Sequence, residues 1–147
     1  MTQWVVLDTN VLVSGLLRPG SIPNQLVLEA VAGRFLLLTS PALLTELDRV
    51  LRYPKLAAAF PAPSAVVAGI QSIASLVVPG ERLTAAADEA DNRVLEAAVA
   101  GRADVIVTGD RGLLAVGSVY AGIQLLTPRQ FAGVLEHQSP PEADQQS

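Results

Sequence analysis

Apolar residues in this chain fall into two patterns. Short continuous runs read as strands buried on both faces, and repeats every three to four positions read as amphipathic helices. Residues 3–8 form the first expected strand, and Asn10 to about Leu17 the first helix, broken by Arg18-Pro19-Gly20. Leu26, Val27, Ala30 and Val31 recur at helical spacing between Ile22 and Ala32, and Gly33 ends that helix at its C′ position. Phe35-Leu36-Leu37-Leu38 is a second strand. Ser40-Pro41 then reads as N-cap and first helical residue. The helix behind it buries Leu43, Leu44, Leu47, Val50 and Leu51 and closes at Pro54. Residues 55–63 form a Pro/Ala-rich connection with one short helical turn, followed by a helix over about Ser64–Ala74 and a third strand, Leu76-Val77-Val78.

The second half repeats the alternation. Glu81 to Glu89 reads as an exposed loop, and Asp91 as the start of a helix with Val94, Leu95, Ala98 and Val99 inward, ended by Gly101. Asp104 to Thr108 is the fourth expected strand and runs into Gly109-Asp110. A short helix, Gly112–Val116, a fifth strand, Ile123–Leu126, and a last helix from Thr127-Pro128 to about Glu136 follow. Residues 1–137 form one domain, and the polar stretch 138–147, with two prolines, reads as a flexible tail. Strands alternating with helices predict an α/β fold, a three-layer sandwich around a central, mostly parallel sheet of about five strands.

Two strands end in the same chemistry. The first gives Val6-Leu7-Asp8 and the fourth Val107-Thr108-Gly109-Asp110. In an open α/β sheet, ligands sit at the carboxyl ends of the strands, so both aspartates are expected at that edge. Asp91 starts a helix leading into the fourth strand, and Glu46 sits about a turn and a half into the helix after the second, so both begin from the same side. Four carboxylates crowded together raise one another's pKa unless a hard cation takes the charge. Mg²⁺ suits such oxygen ligands and keeps several waters, one of which it can activate for attack on a phosphodiester. Each acid also has a plainer reading. Asp8, Asp91 and Asp110 suit helix N-caps, and Glu46 can simply pair with Arg49 at i,i+3. Thr9, Asn10, Asn92 and Thr108 are candidate supports that singly read as local caps. Asp48, Asp88, Glu89 and Asp104 read as surface charges, and His137 as a solvent-exposed residue without a role. Arg18 and Arg111 lie near the edge in sequence and could touch phosphates.

Composition narrows the field. Cysteine is absent, which removes disulfides, thiol catalysis and Cys-based metal sites. The net charge of −4 argues against a broad basic footprint for nucleic acid, and with aromatics at 4% base-stacking platforms are not expected to dominate. The basic residues are nearly all arginine, Lys55 being the one lysine, so a local phosphate patch stays open. Mean hydropathy is high at +0.41, yet no apolar run approaches the roughly 20 residues of a membrane span. No signal-peptide pattern follows Met1, so the expected setting is the cytoplasm, with no membrane partner.

Four blocks together carry a resemblance: Val6-Leu7-Asp8-Thr9-Asn10-Val11-Leu12, Ser40-Pro41-Ala42-Leu43-Leu44-Thr45-Glu46-Leu47, Asp88-Glu89-Ala90-Asp91-Asn92 and Val107-Thr108-Gly109-Asp110-Arg111-Gly112-Leu113-Leu114. In this order and spacing, from about residue 3 to 135, the chain resembles the PIN-domain family, in particular the toxin components of bacterial toxin–antitoxin pairs. The resemblance implies a Rossmann-like fold and a metal-dependent ribonuclease. It implies Asp8, Glu46, Asp91 and Asp110 as the Mg²⁺ or Mn²⁺ site, with Thr9, Asn10 and Thr108 in support. It implies an RNA substrate, a cognate antitoxin and a homodimer. The family often has an acid beside the third one. Here that neighbour is Ala90, which leaves Asp88 and Asp91 as rivals for direct ligation; the following Asn92 and Val94-Leu95 favour Asp91. Two other readings stand beside the nuclease: a PIN-like binding or assembly module, and a phosphatase with Asp8 as nucleophile. The phosphatase usually wants an acid where Asn10 stands and a lysine near the site.

Overall fold

A computed structural model describes residues 2–138 of the chain. The polar tail expected from Gln138 onward lies, beyond that first residue, outside the described residues. The core is a six-stranded sheet in the order β3-β2-β1-β4-β6-β5. Its strands are β1 (Trp4–Leu7), β2 (Leu36–Thr39), β3 (Ala74–Leu76), β4 (Val105–Val107), β5 (Val119–Tyr120) and β6 (Ile123–Leu126). All pairings are parallel except β5 with β6. Seven helices surround it: α1 (Thr9–Leu17), α2 (Ile22–Val31), α3 (Pro41–Leu51), α4 (Pro63–Ile73), α5 (Glu89–Ala100), α6 (Arg111–Leu114) and α7 (Pro128–His137).

Strand residues alternate between two cores, as a period of two requires. Val5, Leu7, Leu37, Val105 and Val107 face one side, against Val11 and Leu12 of α1, Leu26 and Val27 of α2, and Phe131 and Leu135 of α7. Val6, Leu38, Ile106 and Leu125 face the other, against Val94, Leu95 and Ala98 of α5. Both faces being covered, the central strands are apolar throughout, which is why they appear as unbroken runs in the sequence. Helix α3 joins the two cores: Leu43 belongs to the second, Leu47 and Leu51 to the first.

The strand order explains where a ligand can sit. From β1 the chain winds outward to β2 and β3, then returns to the other side of β1 as β4. The direction of winding therefore reverses between β1 and β4. At such a switch point the following loops diverge and leave a crevice at the carboxyl ends of the strands. Leu7 pairs with Val107 there, so the next residues, Asp8 and Thr108, stand side by side.

Several boundaries differ from those expected. The third strand is Ala74–Leu76, two residues earlier than expected, because β2 sets its register: Leu37 pairs with Ala74 and Thr39 with Leu76. Beyond Leu76 only the Val77 N–H still reaches Thr39, and Val78 is exposed. Helix α5 starts at Glu89 rather than Asp91, because the Asp88 side chain accepts from the Ala90 N–H and caps it. The sheet has a sixth strand, β5, where five were expected. It returns through Ala121 and Gly122 at φ of 51° and 80°, the positive angles that a two-residue hairpin needs. Among the described residues, no helix is long and apolar enough to cross a membrane.

Candidate metal centre

Asp8 is the first residue after β1. It also caps α1, its Oδ1 accepting from the Thr9 N–H at 2.8 Å. Its other oxygen, Oδ2, accepts from the Thr108 hydroxyl at 2.7 Å. Thr108 follows β4 and is fully buried, and the same hydroxyl oxygen accepts from the Asp110 N–H at 2.9 Å. Asp110 in turn caps α6 through the Gly112 N–H at 2.7 Å. One hydroxyl thus ties the ends of two neighbouring strands and fixes both aspartates. The plain N-cap reading of Asp8 and Asp110 is correct as far as it goes. A cap uses one or two lone pairs, and a carboxylate has about four.

Asp91 arrives from the opposite wall, in the first turn of α5. One oxygen from each of Asp8, Asp91 and Asp110 lies within 4.8 Å of the others. Asp8 is 7% exposed and Asp91 5%. Burial raises the Asp8 carboxyl above its ordinary value, opposed by the bonds from Thr108 and Thr9 and assisted by Asp110 and Glu46. Asp91 is pushed up to about 7, first by burial and then by Asp110, Asp8 and Asp88. A helix N-terminus favours an anion, but at Asp91 burial and like charge outweigh it. Three carboxylate oxygens, two of them from buried residues unable to ionise without penalty, could together hold a hard divalent cation.

Glu46 lies on the wall of the same cleft, about 230 Å³ in volume. Its carboxylate is engaged by the Arg49 guanidinium, the i,i+3 pairing that a surface helix permits, and it stands outside the three-carboxylate group. Asp88 lines the cleft mouth as the cap of α5, so Asp91 is the acid from this block that joins Asp8 and Asp110. Asn10 lines the cleft and is exposed; Thr9 contributes its backbone N–H. Asn92 turns to the preceding loop: its Oδ1 accepts from the Ala86 N–H at 2.9 Å and its Nδ2 donates to the Ala86 carbonyl at 3.0 Å. Glu96, also buried, accepts from the Leu83 N–H at 2.8 Å. These two side chains hold the loop against α5, and so act on the site through the start of that helix.

The arginines beside the acids are Arg49 and Arg93, both on the cleft wall. Arg18 and Arg111, the ones expected from sequence proximity, are exposed and do not line it. Gly112 was not singled out from the sequence either. A Cβ there would lie 3.2 Å from Asp110 Oδ1 and 3.3 Å from Asp91 Oδ2, so only glycine leaves the two carboxylates undisturbed. The signal was its position two residues after Asp110, at the start of a helix where glycine is otherwise costly. A larger cleft of about 310 Å³ lies beyond Ala42 and Arg93. Glu81 and Glu96 line it, but Asp8, Asp91 and Asp110 converge in the smaller one, so chemistry rather than volume marks that one as the candidate site.

Comparison with known proteins bears on the family and the fold. The PIN domain family profile matches residues 4–112. An uncharacterised protein of Methanocaldococcus jannaschii is 28% identical over 115 residues, covering 76% of this chain and 74% of its own. The crystal structure of PAE2754 from Pyrobaculum aerophilum superposes with a TM-score of 0.57 at 16% identity, covering 93% of this chain and 91% of that one; it speaks for the fold.

Proposed function

The chain belongs to the PIN domain family, and from that premise we propose that it is a Mg²⁺- or Mn²⁺-dependent endoribonuclease, the toxin half of a toxin–antitoxin pair. PIN domains are generally nucleases and typically use divalent metals. The observation that carries the reading is the convergence of one oxygen each from Asp8, Asp91 and Asp110 within 4.8 Å, in a crevice at the β1/β4 switch point.

In this reading Asp8, Asp91 and Asp110 hold the ion, and Glu46, once released by Arg49, is a fourth ligand or orients water. A divalent ion there supplies Lewis-acid polarisation of the phosphate and lowers the pKa of water. The remaining work falls to the chain. Thr108 and the Thr9 N–H fix the Asp8 carboxylate, so little reorganisation precedes the reaction. Asp91, whose pKa is pushed up to about 7, would have to release its proton for an ion to be held there. The acidic protein has little general attraction for RNA, so recognition rests on the ion, a few arginines and RNA shape. The homodimer and the antitoxin follow from the toxin reading. Their simplest check is a short reading frame directly upstream whose product co-purifies with this chain and suppresses cleavage.

The decisive experiment is cleavage of defined RNAs with Mn²⁺ and with EDTA, comparing wild type with Asp8→Asn. Cleavage is expected with Mn²⁺ alone, and the variant is expected to lose roughly a hundredfold or more, since a direct ligand matters at least as much as the groups orienting it. Unchanged cleavage by Asp8→Asn overturns the metal reading. A phosphorylated Asp8 with turnover of small phosphate esters supports the phosphatase instead.

A further inference from the structure

The geometry points to Arg49 as the residue that binds a backbone phosphate of the nucleic acid in the acid cleft, with Tyr53 as the residue that positions it. The inference rests on the nuclease reading above.

An acidic cleft repels the phosphate it must admit, so a cation of the chain itself is needed beside the metal ligands. Four arginines near the site can be compared. Arg18 and Arg111 do not line the cleft. Arg93 lines it, but its Nη2 lies 3.3 Å from Glu89 and 2.9 Å from Glu96, and its side chain is 20% exposed. Its Nη2 is engaged within α5 and its Nε, though without a partner, is buried, so little of this guanidinium is open to a phosphate in the cleft. Arg49 lines the cleft with its side chain 58% exposed.

Two contacts pre-set its geometry. Nη1 donates to the Tyr53 hydroxyl at 2.6 Å, and the guanidinium carbon lies 5.6 Å from the centroid of the Tyr53 ring. Nη2 donates to Glu46. A free surface arginine samples many rotamers; anchored one turn ahead and one turn behind, this one is held at the cleft wall. A guanidinium has five N–H donors and these contacts use two, so donors remain for phosphate oxygens. Glu46 is then a placeholder on Nη2, in the position a phosphate oxygen takes over. The competing explanation is a helix-surface network of Glu46, Arg49 and Tyr53 that only stabilises α3.

The test is fluorescence anisotropy with a labelled single-stranded RNA, Ca²⁺ replacing Mn²⁺, and a gel confirming that the RNA stays intact. Arg49→Ala is expected to weaken binding roughly tenfold, as loss of a charge-assisted bond does. It should also reduce the slope of log affinity against log salt by about 0.7, one phosphate contact on a single strand. Arg49→Lys keeps the charge without the fork and falls between wild type and alanine. Tyr53→Phe loses the hydroxyl anchor and weakens binding about two- to threefold. Mn²⁺ affinity, titrated without RNA, stays at or above the wild-type value in all three. A salt slope unchanged in Arg49→Ala, or a wild type that binds no RNA, overturns the inference, and an unchanged melting temperature in Arg49→Lys excludes a folding defect. Failure of the nuclease reading shows elsewhere, as no Mn²⁺-dependent cleavage or as cleavage unchanged in Asp8→Asn, while the Arg49 effect on binding remains readable.

Discussion

Asp8 and Asp91 are equally buried and face each other across one cleft, yet the fold treats them differently. Asp8 stands where two strands end, and receives a backbone N–H from Thr9 and a hydroxyl from Thr108. Asp91 stands in the first turn of a helix on the opposite wall, and its side-chain partner is another acid, the Asp110 carboxyl. Its neighbours Asp110, Asp8 and Asp88 all make its ionisation harder. Both carboxyls are harder to ionise than usual, but the strand side is held in place by two donors that partly offset its burial, whereas the helix side is a carboxylic acid whose proton the proposed cation would have to displace. A site built this way is half pre-organised by hydrogen bonds and half completed by its ligand.

The sharpest way to break that contrast is Asp91→Asn. It should lower Mn²⁺ affinity by at least roughly tenfold to a hundredfold, read by calorimetry. In the metal-free protein the same change should stabilise. The folded-state pKa of Asp91, about 7, lies above its ordinary 3.8, so between those values the folded chain keeps a proton that the unfolded chain has lost. The stability linked to Asp91 is therefore full below pH 4, falls as pH rises toward 7, and is gone above it. The difference in melting temperature between Asp91→Asn and wild type should grow across that window and reach on the order of a few degrees at pH 8. A difference independent of pH would mean that Asp91 is not held as an acid. In wild type, Mn²⁺ affinity should climb from pH 5 to 7 and then level off.

On the strand side the matching change is Thr108→Val, nearly isosteric. It removes the donor to Asp8 and strands the Asp110 N–H, whose acceptor is the same hydroxyl. An unsatisfied, half-buried N–H and a released buried carboxylate cost about 1–2 kcal/mol, read by denaturant unfolding. Cleavage should fall about tenfold to a hundredfold, as when an orienting partner of a metal ligand is lost. Thr108→Ser should restore both. If Thr108→Val lowers stability but leaves cleavage intact, the hydroxyl only secures the sheet edge.

The same contrast decides what the sequence made legible. Asp8 and Asp110 could be read because each follows a buried strand within three residues, and strand ends on one edge converge whatever the side chains beyond them do. Ser40-Pro41 announced α3 because its cap is local, and Ser40 does accept from the Leu43 N–H. Asp91 was legible only through its block, since Asp88 three residues earlier makes an equally good cap and takes that role. β5 was missed because two residues carry no periodicity and its turn uses Ala121-Gly122, where Asn-Gly would have signalled it. The third strand was placed two residues late because Val77 and Val78 are the more apolar pair, whereas pairing to β2 decides the register. Arg18 and Arg111 lie nearer the aspartates in sequence, yet Arg49 and Arg93 line the cleft, because distance along the chain poorly measures distance across a crevice whose walls are different helices.

The smallest of the expected effects tests how closely the two halves must approach. Gly112 is where they meet: its missing side chain leaves Asp110 Oδ1 and Asp91 Oδ2 at 3.2 and 3.3 Å from where a Cβ would stand. Two terms oppose each other in Gly112→Ala. Alanine favours the helical conformation by about 0.5–1 kcal/mol. The new methyl, tighter than ordinary contact against two carboxylates, must displace one of them by a few tenths of an ångström. Asp110 is held by the Gly112 N–H itself, so the freer Asp91 moves. Stability should then change by less than about 0.5 kcal/mol, the terms cancelling. Ligand positions, by contrast, are tolerated only within about 0.2 Å. Mn²⁺ affinity should therefore drop about three- to tenfold, with cleavage following at low Mn²⁺ and recovering as Mn²⁺ is raised. Recovery at saturating metal places the fault in ligand spacing; an unrecovered loss places it in the approach of the RNA, and the helix and strand walls would then meet around the substrate rather than the ion.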